Sequence, residues 1–352
     1  MAPLAGTACL IRAPRHAEPQ PRLPRIQVIG RDNGAGLSRD IALVAGVLRE
    51  AGFDVEASGL RHGGLRRLLR LLRVRGGLVR RGWRDPLLRR YDLNLLLERL
   101  WADWLPLGRR NALLPNPEWY KPEFDPLLPR LDAVLAKTRH AQALFAAKGC
   151  PTRFIGFTSE DRRSPEVPRE TAFLHVAGRS INKGTEAILA AWRARPDFPL
   201  LTLVQRKREG APPQAAPNLR VLDGYLADAD LRTLQNRHLF HLCPSETEGF
   251  GHHLVEAMSV GALVLTTDAE PMNELVGPGR GVLVPYARTG VQRLATTYFV
   301  TPEALAAGVD ALLALDPLQR AAMGAAARAW YEDNDRAFRE RLVAAVRDLV
   351  DR

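Results

Sequence analysis

The densest run of chemically useful residues is Pro244-Ser245-Glu246-Thr247-Glu248-Gly249-Phe250-Gly251-His252-His253-Leu254-Val255-Glu256-Ala257-Met258. An apolar stretch at 239–243 precedes it and a helical pattern at 252–260 follows, so it reads as strand, glycine-rich turn, helix. Gly249 and Gly251 let the backbone approach a ligand closely, and the free N–H groups opening the next helix suit an anionic diphosphate. Seven residues separate Glu248 from Glu256, which puts one carboxylate in the turn and the other two helical turns along, where both can face one cleft. The bland alternative is a helix start with a solvated acidic face.

A second run, His175-Val176-Ala177-Gly178-Arg179-Ser180-Ile181-Asn182-Lys183-Gly184, also lies between a strand and a helix and spaces its cations as Gly-Arg-x3-Lys-Gly. Taken alone, such a pair is ordinary solvated surface as readily as an anion site. The adjacent His252 and His253 invite a metal reading, but neighbours on a helix diverge by about 100° and no third ligand lies nearby, so no metal is expected.

These turns need a scaffold to hold them. Strands are predicted at 25–30, 53–58, 91–98, 112–115, 131–138 and 154–157, with a loop at 32–36 and a helix at 37–51. The polar stretch 158–170 reads as an interdomain linker. The alternation then resumes: strands at 173–177, 200–204, 219–222, 239–243, 263–266 and 282–284, helices at 183–195, 228–236 and 252–260, and helices at 302–315 and 317–352. Strands alternating with helices imply α/β architecture with parallel sheets covered on both faces. A chain of 352 residues, 46% of them hydrophobic, suits two such cores. The expected division is a loose arm at 1–24, an N-terminal domain at 25–165, a C-terminal domain at 166–330, and a final helix at 331–352 packing back toward the N-terminal domain.

Cys9, Cys150 and Cys243 form no CxxC pair, which excludes a disulfide framework and a structural zinc site and fits a reducing compartment. The apolar runs are strand-sized, so no membrane span is expected, and a cytoplasmic protein is. The net charge of +11 is carried almost wholly by arginine, a skew that a GC-rich genome also produces. Part of it is local: the segment 61–90 holds eleven arginines against Asp85 alone. Its Leu65, Leu68, Leu69 and Leu72 fall on one helical face, as on a helix lying on an anionic membrane or on an ordinary domain helix.

With Glu248-Gly249-Phe250-Gly251 and Glu256-Ala257 in place, the chain resembles the GT-B fold retaining glycosyltransferases of the large family 4 type, whose signature is this E-x7-E. The resemblance implies two Rossmann-like domains facing each other across a cleft. It implies that Glu256 binds the ribose hydroxyls of a nucleotide sugar, while Glu248 and the backbone of Gly249, Phe250 and Gly251 hold the sugar. Arg179 and Lys183, beside Gly178, would bind the diphosphate and stabilise it as leaving group. Gly224 and Tyr225 would contact the base, Gly34 and Gly36 of Asn33-Gly34-Ala35-Gly36 would face the donor from the N-terminal domain, and His252 at the helix start would touch phosphate or sugar. Arg179, Lys183 and Glu248 are the expected catalytic set, with no metal and no cofactor beyond a UDP- or GDP-sugar co-substrate.

The resemblance further implies retention of anomeric configuration, with the donor phosphate helping to deprotonate the acceptor hydroxyl. Asn116-Pro117-Glu118-Trp119-Tyr120 and Gly156-Phe157-Thr158-Ser159 resemble recurring phrases of a bacterial subgroup; Glu118 and Trp119 are candidates to line an acceptor pocket, with packing the alternative for the tryptophan. The expected acceptor is a saccharide or glycolipid of the cell envelope, reached at the inner membrane face through 61–90. Rival readings are a nucleic-acid-binding protein, including a glycosyltransferase acting on modified DNA bases, and a catalytically silent nucleotide-sugar-binding subunit. A dinucleotide-dependent dehydrogenase is disfavoured because Gly30, Gly34 and Gly36 do not make GxGxxG.

Overall fold

The computed structural model describes residues 22–32, 34, 36–60, 90–206 and 216–352. The basic segment at 61–89, most of the arm at 1–24, and Asn33 and Ala35 lie outside the described residues.

Strand β1 (Arg25–Arg31) is buried on both faces, with Ile26, Val28 and Ile29 wholly inaccessible, and it pairs in parallel with β2 (Asp54–Leu60) and β3 (Tyr91–Glu98). Such near-continuous apolar runs are what a parallel sheet covered by helices demands. With β4 (Gly108–Pro115), β5 (Ala133–Ala136) and β6 (Thr152–Phe154) the order is β2-β1-β3-β4-β5-β6. The second sheet repeats the design: β7 (Glu170–Gly178), β8 (Leu201–Gln205), β9 (Leu219–Asp223), β10 (His238–Cys243), β11 (Leu263–Thr267) and β12 (Gly281–Val284), in the order β12-β11-β10-β7-β8-β9. Two parallel six-stranded sheets in an α/β arrangement, as in a pair of Rossmann-like domains, are the architecture that strand–helix alternation predicts.

In each sheet the strand order reverses once, between β1 and β3 and between β7 and β10. A crevice opens outside the carboxyl ends of the strands at such a switch point, because the two connections leave in opposite directions. In the second sheet those ends run into the 178–184 and 244–251 turns, so topology alone brings the two chemical runs of the sequence side by side.

The stretch at 158–170 is polar in sequence, yet Thr158, Ser159 and Arg162 are buried. It lies under the C-terminal helix, a single element at Pro317–Asp351 with a capping box from Asp316 and Gln319. This helix passes Gly261 of the second half, where Gly324 permits close approach, and ends on the first. On the way Tyr331 donates to the Ser159 carbonyl at 2.9 Å, Asn334 donates to the Phe157 carbonyl at 2.8 Å, and the Phe338 ring stands 5.0 Å from that of Phe157.

An antiparallel hairpin, β13 (Tyr286–Gln292) and β14 (Ala295–Val300), has no counterpart in the predicted elements. Its first strand is largely exposed and mixes polar with apolar residues, so it has neither the buried run nor the clean alternation that marks a strand.

Phe338 is fully buried against Phe157 and the core shared by the two halves. Phe338→Ala is expected to lower stability by about 3–5 kcal/mol in urea unfolding; a loss below about 1 kcal/mol would show that the helix does not clamp the two halves.

Candidate active site

At the carboxyl ends of β7 and β10, Lys183 Nζ donates to Glu248 Oε1 at 2.5 Å, with both side chains mostly buried. The same ammonium approaches His253 Nδ1 at 3.1 Å, and His253 Nε2 lies 3.0 Å from Ser245 Oγ. Burial first, and then the neighbouring Lys183 charge, hold the His253 imidazole well below its ordinary pKa. It is therefore neutral, accepting from Lys183 at Nδ1 and donating to Ser245 from Nε2. Lys183 is thus held against the turn by Glu248 and His253 together.

The glycines of that turn are needed for different reasons. Gly251 caps the His252–Ser259 helix at φ 104°, a backbone region costly for other residues. At Gly249 a Cβ would stand 2.7 Å from Asn116 Oδ1 and 2.8 Å from Glu118 Oε1, so the loop after β4 closes directly on it. Between them Phe250 is buried with its ring 5.3 Å from that of Phe157, which leaves only its backbone for a ligand.

Two turns into the helix, Glu256 is 7% exposed. Its Oε2 accepts from Gln235 Nε2 at 2.8 Å, and its Oε1 faces Arg39 Nη1 at 3.4 Å, from the Gly36–Glu50 helix of the first half. Arg162, fully buried, fixes this arrangement: Nε donates to Gln235 Oε1 at 2.9 Å, orienting the amide so that its NH2 meets Glu256, and Nη1 donates to Asp228 Oδ2 at 2.8 Å. Asp228 also takes Arg39 Nη2 at 3.2 Å. Glu256 lines a cavity of about 620 Å³ between the halves, together with Arg39, His252 and Tyr331.

His252, expected at the donor, bridges the first half and the connecting stretch: its Nε2 lies 2.7 Å from Asp40 Oδ1 and its Nδ1 2.8 Å from Ser159 Oγ. Asp40 Oδ2 accepts from Lys137 at 2.7 Å, and Lys137 also donates to Asn116 Oδ1 at 3.0 Å and covers the Phe157 ring at 4.3 Å. Burial pushes the Asp40 carboxyl up, but Lys137 and His252 outweigh it and bring it down to about 2.

The remaining expected residues sit where β1, β7 and β9 run into their following turns. Arg179 is exposed and pairs with no other described residue. Gly178 takes a left-handed φ of 58° and Gly224 one of 118°, while Tyr225 is 77% exposed with the Arg206 guanidinium 5.1 Å above its ring. Gly34 donates its N–H to Ser38 Oγ at 2.8 Å, and Gly36 opens its helix. Sequence reasoning missed Arg39, Asp40, Lys137, Arg162 and Gln235, and singled out Ser159 only within the phrase Gly156-Phe157-Thr158-Ser159, with no role attached. Lys137 alone carried a signal, as a lysine at the end of an apolar strand in a chain whose cations are nearly all arginine.

Asp40 sets an acid limit on stability. Its pKa is about 2 in the fold against 3.8 for the free group, so its contribution, on the order of 2 kcal/mol, is complete above about pH 5 and is lost as pH falls toward 2. In Asp40→Asn, urea midpoints should start lower at neutral pH, because Lys137 is left buried and unpaired, and should decline less between about pH 5 and pH 2. Parallel declines in the two proteins would contradict the assignment.

Residues 218–330 match the family described as Glycosyl transferases group 1. No curated protein sequence matches the chain. Among solved structures, Anabaena Alr3699/HepE in complex with UDP-glucose is similar with a TM-score of 0.67 at 14% identity, over 92% of this chain and 99% of that one. A glycosyltransferase from Rickettsia africae ESF-5 gives 0.66 at 14% identity, over 94% and 99%. A chain of the GtfA/B complex gives 0.56 at 15% identity over 74% of this chain, which spans only 58% of that longer one. Residues 218–330 therefore match a glycosyl transferases group 1 domain, and the chain as a whole shares the GT-B fold of solved glycosyltransferases.

Proposed function

We propose that this enzyme moves a glycosyl group from a UDP- or GDP-sugar to an acceptor hydroxyl, with retention of configuration and without a metal ion. The observation that carries the reading is the Lys183–Glu248 pair at the glycine turn, with Glu256 held two helical turns along on the wall of the cavity between the halves. A cationic turn and a helix start cradle a diphosphate, and a carboxylate oriented by Gln235 grips the ribose diol through charge-assisted hydrogen bonds. As the glycosidic bond breaks, negative charge builds on the donor phosphate, where Lys183 and the unpaired Arg179 stabilise it. That phosphate helps to take the acceptor proton, and Glu248 orients the sugar.

The HepE structure, which holds UDP-glucose in a similar fold, supports the choice of donor class. For the acceptor we propose a saccharide or glycolipid of the cell envelope at the cytoplasmic face of the membrane. That part rests on the basic segment at 61–90; among the described residues no helix is long and apolar enough to cross a membrane.

A thermal-shift screen of UDP- and GDP-sugars tests the donor, because a ligand at about 100 times its Kd stabilises the fold by about 2.7 kcal/mol. Glu256→Ala should weaken donor binding by about tenfold. Lys183→Ala and Arg179→Ala should reduce kcat by about a hundredfold with smaller changes in binding. Wild-type kinetics in all three variants would refute the site.

A further inference from the structure

One buried acid in the cleft is not used by the donor chemistry. Glu118 lies just beyond the carboxyl end of β4, in the turn Pro117–Trp119, and is 7% exposed. Its Oε2 is buried with no hydrogen-bond partner, while Oε1 abuts the bare face of Gly249. An unpartnered buried carboxyl oxygen has lost its water without gaining a partner, a penalty that a ligand group relieves. Its place fits a ligand role: it comes from the first half, outside a strand's carboxyl end, and meets the turn by which the second half would hold the donor sugar.

The hairpin fixes the height of this loop. Gln292 Nε2 donates to the Glu118 carbonyl at 3.2 Å, and Gln292 Oε1 accepts from Asn182 Nδ2 at 2.8 Å. Leu294 N donates to the Pro117 carbonyl at 3.3 Å, and the Leu294 side chain packs against the apolar cluster of the first half. A single side chain thus spans from the Arg179–Lys183 turn to the backbone of Glu118. Burial raises the Glu118 carboxyl to about 7, helped by Glu248 and Glu98 and opposed by its own backbone and by Lys137. A carboxyl that is partly protonated near neutrality both donates and accepts, which matches a hydroxyl better than a phosphate.

We propose that Glu118 is the acceptor-binding carboxyl, its Oε2 hydrogen-bonding a hydroxyl of a saccharide acceptor beside Gly249, with Gln292 of the hairpin as its positioning residue. This rests on the nucleotide-sugar reading above.

The test compares wild type, Glu118→Ala, Glu118→Gln and Gln292→Ala. UDP and GDP affinities are measured by calorimetry, and transfer is measured from the best-binding nucleotide sugar to a panel of free sugars and octyl glycosides. Nucleotide affinity should stay within about twofold, while the acceptor KM rises by about tenfold in Glu118→Ala and less in Gln292→Ala. In wild type the acceptor KM should change between about pH 6 and pH 8, and Glu118→Gln should restore part of the affinity and remove that change. An unchanged acceptor KM, nucleotide binding that falls in step with transfer, or a wild type that uses no saccharide on the panel overturns the proposal while leaving the donor reading intact. A wild type that binds neither nucleotide overturns both.

Discussion

The cleft depends on one buried carboxylate. Asp40, from the first helix of the N-terminal half, is held between the Lys137 ammonium and the His252 ring, and His252 also reaches Ser159 in the connecting stretch. Burying these groups carries a desolvation cost of several kcal/mol per ion that only close, fully hydrogen-bonded geometry offsets. Three parts of the chain must therefore arrive together: the strand end at Lys137, the helix at Asp40, and the helix start at His252. Because His252 is the first residue after Gly251, the network sets the position of the glycine turn relative to the first half.

From that constraint the rest of the site follows in order. Phe157 lies under Lys137 and against Phe250 and Phe338, so the aromatic contacts that pin the turn also pin the C-terminal helix. Asn116, which accepts from Lys137, touches Gly249 and starts the loop that carries Glu118. One lysine thus couples the charge network, the aromatic stack and the Glu118 loop, and the hairpin supports that loop from the opposite direction through Gln292.

What the sequence showed and what it hid divide along chain separation. Strands of both sheets and the turns at 178–184 and 244–251 were legible because each is a local pattern: an apolar run, then glycine, then helical periodicity. The Lys137–Asp40, His252–Asp40 and Arg162–Gln235 contacts join residues 97, 212 and 73 positions apart, and no local spacing encodes such pairs. Arg162 sits in Thr158-Ser159-Glu160-Asp161-Arg162-Arg163, whose polarity reads as solvent-exposed linker; its burial follows only from the partners that the fold brings to it. The Asp40 contact of His252 was hidden for the same reason, since a histidine at a helix start gives no sign of the helix that will face it. The first strand of the hairpin was hidden by its exposure, which removes the burial pattern that betrays a strand.

The two contacts of Glu256 differ in kind, and the difference bears on how a diol could be held. Gln235 is buried, is itself oriented by a buried arginine, and donates at 2.8 Å, so it fixes the carboxylate plane. Arg39 stands at 3.4 Å on a half-exposed side chain that Asp228 shares. A carboxylate offers about four lone-pair sites, and these partners occupy them unequally: one rigid and internal, one long and solvent-facing. Hydroxyl groups arriving from the cavity would compete with Arg39 and not with Gln235, so a ligand would meet a carboxylate already aimed and would displace only the weaker contact. Pre-orientation of this kind lowers the ordering cost of binding, and it places the selectivity of the carboxylate in Gln235 and Arg162, two residues that would not touch the ligand at all.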